Sequence, residues 1–392
     1  VNTFNIQDFF TKMVELEASD LYLTVARPPM YRVEGKIGPG GDHAFTPEEL
    51  KELVHAILNE KQRREFAETL EMNLAMSLPG VSRFRVNIFQ QRGSVGMVIR
   101  RIKADVMSLD EMRLPPILKD IVMTKRGLVL VVGATGSGKS TSLAAMIDHR
   151  NANEAGHIIT IEDPIEFVHR HKRSVVTQRE VGFDTLSFQA ALKNTLRQAP
   201  DVILIGEIRD TETMEAAIVF AETGHLCLGT LHSNNANQAV ERIMNFFQPE
   251  RHAQIYLQLS LNLRAIISQR LIPSLDGRRA AALEVLLDTP RLKNLIRRGE
   301  VDALKEGMEQ GIQEGCQTFD QALFSLYKDG KITLDQALIN ADSANNLRLK
   351  IKLAGLKVDE EPVPAQEGDN DDVGKGEPLQ LQAAGGFRLR DG

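Results

Sequence analysis

The chain has 392 residues, 42% hydrophobic and 26% charged, a composition that excludes collagen-like, wholly disordered and coiled-coil chains and leaves room for two or three compact units. Nine acidic and three basic residues fall in 358–392, so the whole net charge of −6 sits in that tail, while 1–357 carries 44 of each sign; a balanced body without tryptophan speaks against wholesale binding to nucleic acid or acidic membranes. Cys227 and Cys316 lie too far apart in sequence for a disulfide framework or a CxxC zinc site, and no apolar run reaches 18 residues, so neither a membrane span nor a signal peptide is expected.

Residues 1–105 read as a small α+β unit. Asp20–Val25 is strand-like. Thr46-Pro47-Glu48-Glu49 then sets a capping threonine, a proline at the first helical position and a glutamate three residues after the cap, which predicts a helix start. Alternation at Phe84, Val86 and Ile88 predicts strands over Val81–Gln90 and Ser94–Ile102 around an Arg92-Gly93 turn. Residues 106–116, ending in Pro115-Pro116, read as a linker. In 117–357, the apolar runs Leu128–Val132, Ile158–Ile161, Val202–Ile205 and Leu226–Leu231 alternate with helix-length segments, the pattern of a largely parallel sheet covered on both faces. Past residue 250 the spacing of Ile255, Leu259, Leu263, Ile266 and Ile267 predicts helix, as does that of Phe319, Ala322, Leu323, Leu326 and Tyr327. Thr333-Leu334-Asp335-Gln336 opens another helix with a capping box. The aperiodic, acidic stretch 358–392 reads as a disordered tail.

The chemistry starts at Gly133-Ala134-Thr135-Gly136-Ser137-Gly138-Lys139-Ser140, followed by Thr141, a G-x-x-x-x-G-K-S loop between an apolar strand and a helix. Its glycines turn backbone amides toward phosphate oxygens, Lys139 neutralises the β and γ phosphates, and Ser140 suits Mg²⁺, so the loop points to bound ATP. Glu162, Asp163 and Glu166 follow the next apolar strand, where a doubly wound sheet gathers its ligand; taken alone, they fit a solvated loop equally well. Glu207 ends the strand Val202–Ile205 at the place of a Walker B acid and is a candidate Mg²⁺ ligand, directly or through water. His225 and His232 bracket Leu226–Leu231; each is open to a structural, nucleotide-sensing or subunit-contact role.

Together, Gly133–Ser140, Ile158–Phe167, Leu196–Asp210 with Glu212-Thr213, and Gly224–His232 resemble the Walker A, Asp box, atypical Walker B and His box of the type II/type IV secretion ATPases. Ala18-Ser19-Asp20-Leu21, Pro28-Pro29-Met30 and the short N-terminal part look like the PilT/PilU family of type IV pilus retraction ATPases. The stretch Thr318–Leu353 and the altered box Arg291–Ile296 are nearer its PilU-like branch. The resemblance implies a PAS-like N-terminal domain before a RecA-like ATPase domain in an overall α/β fold, a homohexamer using ATP and Mg²⁺, and catalysis by Glu166 as general base with Glu207 and Lys139. It also implies that Arg85 and Arg100 approach the phosphates, and that the chain works beside a PilT-like motor and a platform protein of the pilus base, on the cytoplasmic face of the inner membrane, touching the membrane through partners alone. A pilus-extension or type II secretion ATPase is the alternative enzyme, and a non-catalytic ring component the alternative of another class.

Overall fold

The computed structural model describes residues 4–78, 81–102 and 105–357; the tail expected to be disordered lies outside the described residues. Strands run in chain order as β1 Asp20–Leu23, β2 Met30–Val33, β3 Lys36–Pro39, β4 Glu71–Leu78, β5 Ser82–Gln91, β6 Ser94–Ile102, β7 Gly127–Val132, β8 His157–Glu162, β9 Val175–Glu180, β10 Val202–Ile205, β11 Leu226–Leu231, β12 Leu263–Pro273 and β13 Arg279–Leu287.

The first six make one antiparallel sheet in the order β3-β2-β1-β6-β5-β4. Phe84, Val86 and Ile88 alternate inward along β5, and Phe84 stacks on Phe10 of the helix Ile6–Glu15. The predicted helix start holds: Thr46 caps Pro47–Ile57 by accepting from the Glu49 amide, and the Glu49 carboxylate returns the bond to the Thr46 amide. Residues 105–116 form neither helix nor strand, yet Leu109 and Leu114 are buried beside the seven-stranded sheet.

That second sheet runs β13-β12-β7-β11-β10-β8-β9, parallel from β12 through β9, with β13 antiparallel at one edge. β7, β10 and β11 are buried along their whole length because apolar side chains on both faces meet covering helices, which is why their sequences run apolar without alternating. The parallel order brings the C-terminal ends of β7, β11, β10 and β8 side by side, where an open α/β sheet binds its ligand.

Of the helix expected from Ile255 to Ile267, the part that forms is His252–Asn262, where Ile255 and Leu259 are buried. Leu263, Ile266 and Ile267 instead enter β12, next to β7. Both faces of β12 are buried, so its apolar residues do not alternate, and spacing alone cannot distinguish such a strand from a helix. Thr333 caps Leu334–Ile339 as expected by accepting from the Gln336 amide, but among the described residues the reciprocal bond of the expected capping box is absent. A full box forms instead at Thr318, before Phe319–Lys328, and these helices pack with Ala344–Leu353 over Ile272 and Ala282.

Candidate active site

The phosphate loop is built from backbone. Gly133, Gly136 and Gly138 have φ of +150°, +78° and +86°, conformations that L side chains rarely adopt. At Gly133 space forbids a side chain as well: a Cβ would lie 2.6 Å from the Gln269 carbonyl oxygen on β12. Gly138 leads into the helix Lys139–Asn153, whose first amides are left free for an anion. Gln269 also accepts from the buried Ser142 hydroxyl at 2.7 Å and so ties that helix to β12. Lys139 is buried, and its Nζ donates to the Gly133 and Ala134 carbonyls at 2.8 and 3.0 Å. Burial lowers its pKa, while the Glu207 and Glu166 charges oppose that shift.

A cleft of about 310 Å³ opens beside the loop, walled by Lys139 and Ser140, by Glu162, Asp163 and Glu166 after β8, and by Glu207 and His232 after β10 and β11. Gly206 makes the close approach possible, since a Cβ there would lie 3.0 Å from the Glu162 Cα, and its amide donates to the Ile161 carbonyl at 2.7 Å. Glu207 is held from two sides, by Arg209 Nη2 at 2.6 Å and His232 Nε2 at 3.3 Å, and Arg209 reaches Asp163 at 3.8 Å. His232 has a lowered pKa, chiefly from burial and then from the Lys139 charge, which favours neutral imidazole. Glu162 accepts from the Thr160 hydroxyl at 2.6 Å; burial still outweighs its donors and raises its pKa.

The structure therefore gathers Gly136, Lys139, Ser140, Glu166, Glu207 and His232 around one cleft. His225 lies at the other end of β11, about 20 Å away at ~3.3 Å per residue, where the Thr223 hydroxyl and the Phe220 carbonyl bond its Nδ1. Arg85 and Arg100 face each other across β5 and β6, and neither lines the cleft. Arg85 pairs with the fully buried Glu180 of β9 at 3.2 Å, and Arg83 joins the same carboxylate at 3.6 Å. Arg100 donates to Asp20 at 2.8 Å, a bond that raises its pKa.

The sequence reading missed His169, Thr230 and Gln269. His169 lines the cleft, buried, with no hydrogen-bond partner for Nδ1 among the described residues, and burial pushes its pKa down to about 4. Thr230 donates to the Gly206 carbonyl within an otherwise apolar strand. Gln269 was hidden by the helical reading of β12. A second cavity of about 710 Å³ lies across the phosphate loop, bounded by Gly138 and Thr141, by Met107 and Arg113, and by Asp276 and Arg278 after β12.

Comparison with known proteins agrees with this geometry. The Type II/IV secretion system protein family matches residues 51–339. The type IV pilus ATPase PilU of Pseudomonas aeruginosa is 58% identical over 87% of this chain and 90% of its own length. The PilT retraction ATPase of the same organism is 43% identical over 84% of this chain and 96% of its own. A crystal structure of the pilus retraction motor PilT with bound ADP superposes with a TM-score of 0.80, at 42% identity, over 87% of this chain and 98% of that one.

Proposed function

The chain belongs to the PilT/PilU family of type IV pilus retraction ATPases, within the Type II/IV secretion system proteins, and from that premise we propose how this ATPase converts hydrolysis into work. The observation that carries the proposal is the convergence of Lys139, Ser140, Glu166 and Glu207 on one cleft at the C-terminal ends of parallel strands.

ATP lies with its phosphates on the amides of Gly133–Thr141, and Lys139 exchanges its two loop carbonyls for the β and γ oxygens. The Ser140 hydroxyl and the Glu207 carboxylate are hard oxygen donors, the kind Mg²⁺ takes one or two of while phosphate and water complete its shell. They fit that cation; bound there, Mg²⁺ would neutralise phosphate charge. Glu166 is exposed to the cleft, takes a proton from or orients the attacking water, and is the general base. His232, kept neutral, bonds Glu207 and holds its carboxylate toward the phosphates.

In this reading the sheet β1–β6 is a PAS-like domain, the larger sheet a RecA-like core, and residues 106–116 the hinge between them. Six copies form a ring. Arg85, and Arg100 beside it, leave their carboxylate partners Glu180 and Asp20 for the γ-phosphate as the ring closes, so that the charge of ATP is exchanged for domain rotation. His225, far from this chain's own cleft, contacts a neighbouring subunit. The ring acts beside a PilT-like motor and a pilus platform protein on the cytoplasmic face of the inner membrane. In this reading the attachment runs through those partners; no described helix is long and apolar enough to cross a membrane.

Phosphate release by the purified protein, with and without Glu166→Gln, tests the catalytic assignment. A deletion strain scored for pilus number and twitching tests the direction of work: surplus pili are expected, and their loss would favour an extension motor.

A further inference from the structure

We propose that Gln178, on the edge strand β9 and outside the wall of the cleft, is a positioning residue that sets where Glu166 stands. The inference rests on the reading of Glu166 as general base.

The loop Asp163–His169 leaves β8 and carries Glu166 at its middle. Among the described residues no hydrogen bond holds the Glu166 carboxylate itself, so its position is dictated by the backbone on either side. On the near side, Glu162 accepts from the Thr160 hydroxyl, and the nearby Glu166 amide opposes the rise that burial gives its pKa. On the far side, one carboxamide does all the work. Gln178 Nε2 donates to the Phe167 carbonyl at 2.9 Å, and Gln178 Oε1 accepts from the His169 amide at 2.7 Å. The side chain thus imitates a strand rung, bracketing Val168 and satisfying two backbone groups that the loop cannot pair internally. The same Nε2 reaches Glu162 Oε1 at 3.3 Å and joins the two anchors.

β9 supplies the rigidity. Gln178 stands opposite Thr160 in the parallel β8–β9 register, so the carboxamide is fixed to the strand from which the loop departs. Asparagine is one methylene short of this span, and glutamate keeps the acceptor for His169 but loses, when ionised, both donors. A general base displaced by about 1 Å costs on the order of a hundredfold in rate with little effect on ground-state binding. Glu166 meets the substrate water and Gln178 does not, so its loss should be read in turnover and not in affinity.

The experiment compares Gln178→Ala, Gln178→Glu and Glu166→Gln, and the double variant Gln178→Ala/Glu166→Gln, in the full chain by phosphate release against ATP concentration. The expected result is a fall in kcat of about tenfold or more for Gln178→Ala, with KM for ATP within about threefold of wild type. In the Glu166→Gln background the same substitution should lower the residual rate by less than about twofold, because the group it positions is already gone. Gln178→Glu should recover relative to wild type as pH falls and its carboxyl regains a donor proton. A Gln178→Ala kcat within about twofold of wild type, or an undiminished loss in the Glu166→Gln background, would overturn the inference. If Gln178→Ala does not fold, Gln178→Glu decides by the same split of kcat from KM. Near-normal turnover in Glu166→Gln would instead bring down the assignment of the base. An inactive Glu166→Gln beside an active Gln178→Ala removes this inference alone.

Discussion

The two loops that face each other across the cleft are built on different principles. The phosphate loop Gly133–Lys139 works through its own backbone: three glycines at positive φ and a helix start present the amides, and β12 only closes the back. The acid loop Asp163–His169 has no such internal plan; it is hung from Thr160, Glu162 and Gln178 on two strands. The difference teaches that a phosphate-binding loop can be written into one short run of consecutive residues, whereas the placement of the proposed base, Glu166, is borrowed from neighbouring elements.

Replacing the central groups breaks the comparison most strongly. Lys139→Ala should weaken ATP binding and abolish turnover together, since Lys139 meets phosphate in ground and transition states alike. Glu166→Gln should leave ATP binding intact while turnover falls by about 10²–10⁴, the range for loss of a general base. Nucleotide affinity by fluorescence, set against phosphate release, separates them. Glu207→Gln, acting through the metal, should raise the Mg²⁺ concentration needed for half-maximal rate. If Glu166→Gln stayed active while Glu207→Gln was dead at every Mg²⁺ level, Glu207 would take the role of the base.

Protonation should distinguish the loops next. His169 is buried with its pKa pushed down to about 4, against about 6.5 when unfolded, so the unfolded chain binds the extra proton. Stability is therefore full above about pH 6.5 and declines as pH falls toward 4, by about 3 kcal/mol for this residue over the whole window. His169→Asn should flatten that part of the melting-temperature profile, and an unchanged slope between pH 7 and 5 would refute the assignment.

The finest test pairs two hydroxyls. Ser142→Ala removes the bond to Gln269 behind the phosphate loop and Thr160→Val the bond to Glu162 behind the acid loop, each worth about 1 kcal/mol of stability. Ser142→Ala should lower the melting temperature with kcat unchanged. Thr160→Val should lower kcat as well, because its partner Glu162 anchors Glu166. Equal effects on kcat would erase the distinction between the loops.

Much of this was readable in one dimension. β10 and β11 run over the predicted residues, β6 spans Ser94–Ile102 as expected, and the helix caps at Thr46 and Thr333 were fixed by chemistry within four residues. The phosphate loop and the strand-end position of Glu207 were equally local. What depended on tertiary structure was each feature in which distant residues share a surface. β12 took its buried place beside β7 although its spacing also fits a helix, and with it came Gln269 behind Gly133. His225 and His232, equivalent as a pair in sequence, were separated by the length of a parallel strand, leaving only His232 at the cleft. Arg85 and Arg100, alike as cationic strand residues, took different carboxylates. Local backbone conformation is set by neighbours in the chain, within reach of a motif; which side chain meets which across a sheet is set by strand order and burial, and only the folded packing decides it.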